Sequence, residues 1–215
     1  MITTKNFVFN ELGENAFVMH DETGDCLIVD PGCNTPAQQQ KLERYLKEQN
    51  LRPVYIVLTH GHFDHLSGLA WAKATFSCPV LMHRDDLFLL NEAVQHAGLF
   101  GYAIKPPPAP DRFLEDGEVL AFGHSEVTIL HIPGHSPGSI CLYSAKDGLL
   151  ICGDVLFSGS IGRTDLFGGD YQLLITGIRE KLMVLPRETV VWPGHGPDTT
   201  IGTEYDTNPF LTAHE

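Results

Sequence analysis

The residues with the clearest chemistry lie in one short segment, which places three histidines and an aspartate after the apolar run 54–58: His60, His62, Asp64 and His65. Imidazole and carboxylate groups are the ligands that first-row divalent metals prefer. A buried strand that ends in such ligands delivers them to a sheet edge, where α/β folds usually place their chemistry, so the segment predicts a metal site. Two adjacent metals suit the spacing better than one, because His60 and His62 can point together while Asp64 and His65 point elsewhere.

Three further ligand-type residues repeat this design, each directly after an apolar strand: His135, Asp154 and His195. Taken singly, each is also typical of an ordinary turn or cap. Together with the first segment they make five histidines and two aspartates, which is enough for two metals. A natural partition gives the first metal His60, His62 and His135, and the second metal Asp64, His65 and His195. Asp154 would bridge the two metals, because each of its oxygens can hold one cation.

The loops that carry His135 and His195 are expected to be stiff, because Pro-Gly precedes each histidine. Stiffness suits a catalytic site, since a small misplacement of a ligand costs large factors in rate. The two carboxylates of the set, Asp64 and Asp154, are the predicted catalytic residues.

Polar residues outside this set have less specific interpretations, and for Asp30 two of them stay open. Asp30 ends an early strand, where it could accept a hydrogen bond from a metal-ligating histidine or simply begin a turn before Pro31. Arg163 and Asp165 are expected to brace their loop as an ion pair. The long segment 98–112 is expected to form a shaped lip over the site. The remaining histidines are treated as structural or exposed: His20, His83, His96, His124, His131 and His214.

The length of 215 residues predicts a single domain over 1–215 that can bury a full core. A formal net charge of −13 argues against broad binding to nucleic acid or to an anionic membrane. The N-terminus lacks the features of a secretory signal, and no apolar run approaches a membrane span. Five scattered cysteines without a C-x-x-C pair are expected to be buried free thiols. A cytoplasmic location is the simplest expectation.

Alternation of apolar runs and helical spacing predicts the elements that must position these residues. Strands are predicted at 7–9, 16–19, 26–30, 54–58, 79–82, 118–122, 126–132, 139–144, 149–152 and 188–192. Helices are predicted at 36–49, from the ligand segment to about 76, at 84–97 and at 170–184, with a short terminal segment at 205–211. Both halves of the chain pass from a strand meander to helix–strand alternation. Such a chain can stack two sheets face to face with helices outside, so we predict an α/β (α+β) four-layer αβ/βα sandwich.

The motif Thr-His-x-His-x-Asp-His at 59–65, followed by the two Pro-Gly-His segments and Gly153-Asp154, resembles the metallo-β-lactamase superfamily. The segments 159–166 and 208–210 extend the similarity to compact glyoxalase II-like hydrolases. The resemblance implies an αβ/βα fold with the metals at one edge of the two sheets, and it implies the same ligand partition. It also implies two divalent ions, zinc first, with iron or manganese as alternatives. Full-length glyoxalase II holds glutathione with an additional helical C-terminal region, and because the sequence continues for only about twenty residues after His195, we expect this chain to lack that region.

The expected function is hydrolysis of a small acyl thioester such as S-D-lactoylglutathione by a hydroxide that bridges the two metals. A thiolate leaves readily, and no G-x-S-x-G segment signals a serine nucleophile. One rival is a mononuclear iron persulfide dioxygenase with the same ligands. A lactonase and a non-catalytic metal-binding protein are the others. The oligomeric state and the thiol carrier stay open.

Overall fold

The computed structural model describes residues 1–212, and residues 213–215 of the predicted domain, with His214, lie outside the described residues. Its strands, numbered along the chain, are β1 (Thr3–Phe9), β2 (Glu14–His20), β3 (Asp25–Val29), β4 (Arg52–Val57), β5 (Val80–Met82), β6 (Arg112–Phe113), β7 (Val119–Phe122), β8 (Ser125–His131), β9 (Ile140–Ser144), β10 (Leu149–Gly153), β11 (Leu156–Phe157), β12 (Ser160–Ile161), β13 (Val190–Pro193) and β14 (Thr199–Thr200). Its helices are α1 (Pro36–Glu48), α2 (Phe63–Leu66), α3 (Leu69–Phe76), α4 (Leu87–Leu99), α5 (Tyr171–Gly177), α6 (Ile201–Thr207) and α7 (Pro209–Thr212). A 3₁₀ turn at Arg84–Asp86 precedes α4, and a π turn at Ile178–Leu182 extends α5.

Two six-stranded sheets carry the fold. The first has the order β1-β2-β3-β4-β5-β6, antiparallel up to β3 and parallel from β3 to β6. The second has the order β14-β13-β10-β9-β8-β7 and is antiparallel except for the parallel pair β10 and β13. Each sheet therefore joins a meander to a region in which a helix connects parallel strands, as the sequence predicts.

The buried apolar side chains form three layers. The middle layer lies between the sheets, where Phe17 and Leu27 of the first sheet share a cluster with Ile129 and Leu142 of the second. One outer layer packs α1, α3 and α4 on the first sheet, and the other packs α5 and the π turn on the second. Each fully buried Leu, Ile or Phe contributes about 1.5–3 kcal/mol. The predicted four-layer αβ/βα sandwich is confirmed.

Helix α1 shows how local sequence sets an element boundary. The Thr35 hydroxyl accepts a hydrogen bond from the backbone of Gln38, and the Gln38 side chain accepts one from the backbone of Thr35. Pro36 occupies the first turn, where its missing N–H costs nothing. Leu42 and Leu46 are the buried face of the helix, which covers the range predicted at 36–49 to within one residue.

Several predicted elements differ in detail. The helix expected after the ligand segment is broken between α2 and α3, because the N–H of Gly68 donates to the carbonyl of Pro31 (2.8 Å). The helix expected at 170–184 changes to a π turn at Ile178. The predicted strands miss the two-residue strands β6, β11, β12 and β14, since such short pieces have no periodicity to read. Within residues 1–212, the helices are all too short or too polar to cross a membrane.

Candidate metal centre

Four segments bring the seven predicted residues to one edge of the two sheets. β4 leads to His60 and His62, β8 leads to His135, β10 ends directly before Asp154, and β13 leads to His195. The imidazole rings converge across the gap between the sheets: the ring centroids of His60 and His135 lie 4.8 Å apart. Those of His65 and His195 lie 5.2 Å apart.

The first cluster consists of His60, His62 and His135, whose ligand atoms lie within 4.8 Å of one another. His62 Nδ1 lies 2.9 Å from His135 Nε2, and His60 Nε2 lies 3.3 Å from the same atom. Ligand atoms about 2.0–2.1 Å from a tetrahedral zinc ion are separated by about 3.3 Å. The distances from His135 Nε2 to the two other nitrogens are therefore close to the spacing of ligands around a zinc ion.

The second cluster consists of Asp64, His65 and His195. His195 Nε2 lies 3.2 Å from Asp64 Oδ2 and 3.3 Å from His65 Nε2. Asp154 faces both clusters: its Oδ1 lies 3.3 Å from His65 Nε2, and its Oδ2 lies 3.5 Å from His135 Nε2. This is the position that a bridging carboxylate requires.

The charges in the two clusters differ. Burial lowers the pKa of His62 to about 3, and burial likewise lowers the pKa of His60 well below its ordinary value. Both rings are therefore neutral and offer lone pairs. Although burial disfavours a charged ring, the carboxylates of Asp154 and Asp64 raise the pKa of His65 well above its ordinary value. A proton thus lies in the second cluster where a cation would bind.

The environment of Asp154 is a further observation that fits a pair of metal ions. Although burial opposes its ionisation, nearby His65 holds the pKa of Asp154 well below its usual range. Its Oδ1 is buried and makes no hydrogen bond of good geometry to the residues 1–212 that the structure describes, with His65 Nε2 3.3 Å away. A buried carboxylate oxygen without a hydrogen-bond partner is costly unless a cation satisfies it. Asp154 together with the converging nitrogens therefore suits divalent ions.

The outward nitrogens of the rings fix which nitrogen faces the centre. His135 Nδ1 lies 2.9 Å from the carbonyl oxygen of Arg163, and His195 Nδ1 lies 3.2 Å from that of Leu12. Because a carbonyl oxygen only accepts, each Nδ1 carries a proton, which leaves Nε2 as the nitrogen that faces the centre and is available to a metal.

Asp30 has the supporting role that the sequence left open. Its side chain is fully buried, and His65 Nδ1 lies 3.0 Å from its Oδ2. Its two oxygens also accept from the backbone N–H (2.7 Å) and the hydroxyl (2.5 Å) of Thr59. Asp30 thus orients His65 and the start of the ligand segment together. It also takes part in a turn, since the N–H of Gly32 donates to its carbonyl oxygen (2.8 Å).

Asp86 holds the loops of the first cluster together and was missed by the sequence analysis, which placed it inside a helix. Its fully buried carboxylate accepts from the N–H of Gly61 (2.8 Å), the hydroxyl of Ser136 (2.6 Å) and the N–H of Gly138 (2.5 Å). One side chain thus ties the loop of His60 and His62 to the loop of His135.

Asn15 does the same for the second cluster and was also missed. Its side-chain amide donates to the carbonyl oxygens of Pro193 and Gly196 (both 2.9 Å), and its N–H donates to the carbonyl of Gly194 (2.7 Å). The backbone on both sides of His195 is thereby fixed to β2 of the opposite sheet. The one signal available in the sequence was a pair of polar residues, Glu14 and Asn15, directly before the predicted apolar strand 16–19.

The glycine before His195 is required by close approach. A Cβ at Gly194 would collide with Asp154 Oδ1 and lie 2.6 Å from His65 Cε1. The Pro-Gly-His segment therefore does more than turn the chain, because it lets the backbone pass directly over the bridging carboxylate.

Three other predictions, on an ion pair, a loop and the cysteines, can be compared with the structure. Arg163 and Asp165 form the predicted ion pair, with Nε and Nη2 of the arginine each 2.7 Å from a carboxylate oxygen. Of the segment 98–112, only its start reaches the cavity above the centre, through Leu99 and Phe100. All five cysteines are free and buried, as predicted.

A separate histidine pair lies outside this centre. His83 and His131 stack with ring centroids 3.9 Å apart, close to Asp85. His131 Nε2 lies 2.8 Å from the carbonyl oxygen of Pro137, and His83 Nδ1 accepts from the N–H of Asp85 (3.3 Å). One nitrogen of each ring is thus used within the protein, which is consistent with a structural role.

Comparison with known proteins agrees with this geometry. The family model described as metallo-beta-lactamase superfamily matches residues 10–195. Hydroxyacylglutathione hydrolase GloC of Haemophilus influenzae is 36% identical over 202 residues, 93% of each chain. The crystal structure of BLEG-1 B3 metallo-beta-lactamase is 40% identical, with a TM-score of 0.90 over 98% of this chain and 100% of that one. The crystal structure of TTHA1623 in a di-iron-bound form is also 40% identical, with a TM-score of 0.88 over 96% of this chain and 100% of that one. The chain belongs to the metallo-beta-lactamase superfamily, whose fold binds divalent metals.

Proposed function

We propose that the protein is a hydrolase that cleaves a small acyl thioester in the manner of glyoxalase II, with two divalent cations held in the candidate metal centre. The observation that carries the proposal is the position of Asp154 between two complete donor clusters. The similarity to GloC over 93% of both chains supports a hydroxyacyl thioester, and S-D-lactoylglutathione is the first substrate to test.

In this proposal the first cation would be held by His60, His62 and His135, the second would be held by Asp64, His65 and His195, and Asp154 would be a ligand of both. Zinc suits the nitrogen-rich clusters best. Iron is the alternative, because a relative of similar length was crystallised in a di-iron-bound form. When bound, such a pair lowers the pKa of a shared water and stabilises negative charge that develops on the carbonyl oxygen.

The protein's own groups prepare the attack. Although burial opposes it, His65 holds the pKa of Asp64 below its ordinary value, so this carboxylate is ionised at neutral pH. Its Oδ2 faces His195, which leaves Oδ1 to accept a hydrogen bond from the attacking water. The backbone contacts made by His135 and His195 keep both rings in place during the reaction.

The reaction forms a C–O bond from water and breaks the C–S bond of the thioester. The proton of the attacking water passes to Asp64 and from there to solvent. The thiol leaves as a thiolate, whose free pKa of about 8.5 lets it depart without a general acid. A protein thiolate has no role in this scheme. Burial raises the pKa of Cys152 to about 12, and it raises the pKa of Cys141 well above its ordinary value.

The test combines metal analysis with a panel of thioesters, lactones, persulfides and a β-lactam. Two metals per chain with release of free thiol from S-D-lactoylglutathione would support the proposal. His135→Ala should abolish this release, whereas His124→Ala, at a histidine 76% exposed outside the centre, should leave it unchanged.

Other outcomes would contradict the proposal. One iron per chain with oxygen uptake on a persulfide would identify a dioxygenase. Opening of lactones or β-lactams without thioester cleavage would identify a different hydrolase. Tight metal binding without turnover of any substrate would identify a metal-binding protein without catalysis.

A further inference from the structure

A cavity of about 530 Å³ opens directly onto the candidate metal centre, whose ligands form its floor. Apart from Arg163 and His96, the residues that form its walls are apolar, among them Leu12, Phe63, Phe100 and Phe167. A site of this size and composition is typical of small-molecule binding. The volume exceeds what the reacting thioester group alone would fill, so a substituent of the substrate must occupy the rest.

The rim of the cavity exposes large apolar side chains to water. Leu99 is 77% exposed, Phe100 58% and Phe167 79%. The two phenylalanines are nevertheless held in position: Phe100 stacks on Phe63 at 5.6 Å between ring centroids, and Phe167 meets the ring edge of Phe88 at 5.5 Å. Exposed but fixed apolar groups around one mouth mark a surface that a ligand covers.

The charged side chains that line the cavity do not complement the charges of glutathione. Apart from the candidate ligands, the described residues that line the cavity include two basic side chains, Arg163 and His96. The charge of Arg163 is neutralised by a bidentate ion pair with Asp165, and His96 Nε2 lies 3.3 Å from Glu92 Oε2. Glutathione carries two carboxylates and one ammonium group. Its carboxylates would therefore face apolar walls without a free cation, which is unfavourable.

We propose that this cavity binds a neutral, apolar arm of the thioester, so that the preferred substrate is an apolar acyl thioester rather than a glutathione conjugate. This inference rests on the proposed function for the reaction itself, but the binding preference can be measured without turnover. The arm belongs to the acyl group or to the thiol, and the two cases share the same chemistry. Phe100 and Phe167 determine the specificity.

The first experiment measures binding of thioethers, which cannot be hydrolysed, to the metal-loaded protein by calorimetry. S-methyl, S-butyl and S-hexyl N-acetylcysteamine form a neutral series, and S-hexylglutathione is the charged counterpart. Each added methylene should tighten binding about two- to fourfold. The neutral hexyl compound should bind more tightly than S-hexylglutathione. Equal binding across the series, or tighter binding of S-hexylglutathione, would overturn the inference.

The second experiment distinguishes the two positions of the arm. One series of substrates lengthens the acyl group on N-acetylcysteamine from acetyl to hexanoyl. The other keeps the acetyl group and lengthens the thiol from ethanethiol to hexanethiol. The series whose kcat/KM rises about two- to fourfold per methylene identifies the arm that enters the cavity. A flat response in both series, together with a preference for S-D-lactoylglutathione, would overturn the inference while the proposed function stands.

Variants at the rim provide the structural control. Phe100→Ser with Phe167→Ser should reduce the gain per methylene, because both side chains are exposed and their loss leaves the core intact. Val184→Ser is the matched control, since Val184 is 71% exposed and lies outside the cavity. If the increase in affinity per methylene is unchanged in the double variant, the role assigned to Phe100 and Phe167 is wrong. Thioether binding without any thioester hydrolysis would support the cavity inference and contradict the proposed function.

Discussion

Replacing Asp86 by asparagine separates the positioning of the first metal cluster from that of the second. The carboxylate accepts from Gly61 and Ser136 at one oxygen and from Gly138 at the other. Asparagine has the same shape but only one acceptor oxygen. Whichever way its amide is turned, one backbone N–H meets an NH₂ group instead of an oxygen.

The size of the effect follows from this count. A buried N–H that loses its acceptor costs about 1–3 kcal/mol, so Asp86→Asn should lower the free energy of unfolding of the metal-free protein by that amount. Loss of a group that orients metal ligands typically weakens metal binding by about 10–100-fold. The loops that Asp86 ties carry His60, His62 and His135, so the first metal should be affected and the second much less.

The assay is a zinc titration in competition with a chelator, together with urea unfolding of the metal-free protein. Asp85→Asn is the control at an exposed neighbour and should change stability by less than about 0.5 kcal/mol. Asn15→Ala is the complementary variant and should weaken the second metal more than the first, because the Asn15 side-chain amide donates to the loop of His195. Equal weakening of both metals in both variants, or a loss of stability without any change in metal affinity, would refute the reasoning.

Three further predictions concern protons and thiols. Binding of the second metal should release a proton, because the raised pKa of His65 leaves it protonated in the metal-free protein. Titration calorimetry in buffers of different ionisation enthalpy should show this release. The affinity for the second metal should also rise with pH until the His65 ring is neutral. The metal-free protein should lose stability as pH falls below about 6.5, because unfolded His62 then takes up a proton that the folded form, with a pKa of about 3, does not bind. The dependence of the unfolding free energy on pH should become weaker in His62→Gln, as measured by urea unfolding at several pH values. An unchanged dependence would contradict this prediction. Thiol-alkylating reagents should leave the folded protein active, since Cys141 and Cys152 are buried, and rapid inactivation would show that a cysteine participates.

The convergence of these seven residues could be predicted from the sequence, because each of the four segments that carry them begins within a few residues of the end of an apolar strand. His135 and His195 come after stiff Pro-Gly segments, and Asp154 directly follows β10, so the chain order itself marks the edge of the sheets. The layer order followed from the same alternation of strands and helices. The assignment of each residue to a metal stays a prediction.

The supporting residues could not be predicted, for a physical reason. Asp86 acts on Ser136, 50 positions away, and Asn15 acts on Pro193, 178 positions away, so no local pattern records either contact. The apolar cavity is also formed by segments far apart, from Leu12 to Phe167. Such contacts depend on how the sheets stack, which periodicity alone does not determine.

Anomalous diffraction from crystals grown with zinc, recorded on both sides of the zinc absorption edge, tests the account most directly. The account predicts two peaks at full occupancy, one among His60, His62 and His135 and one among Asp64, His65 and His195. Both ions should contact Asp154. A single ion, or two ions with Asp154 turned away from either of them, would contradict it.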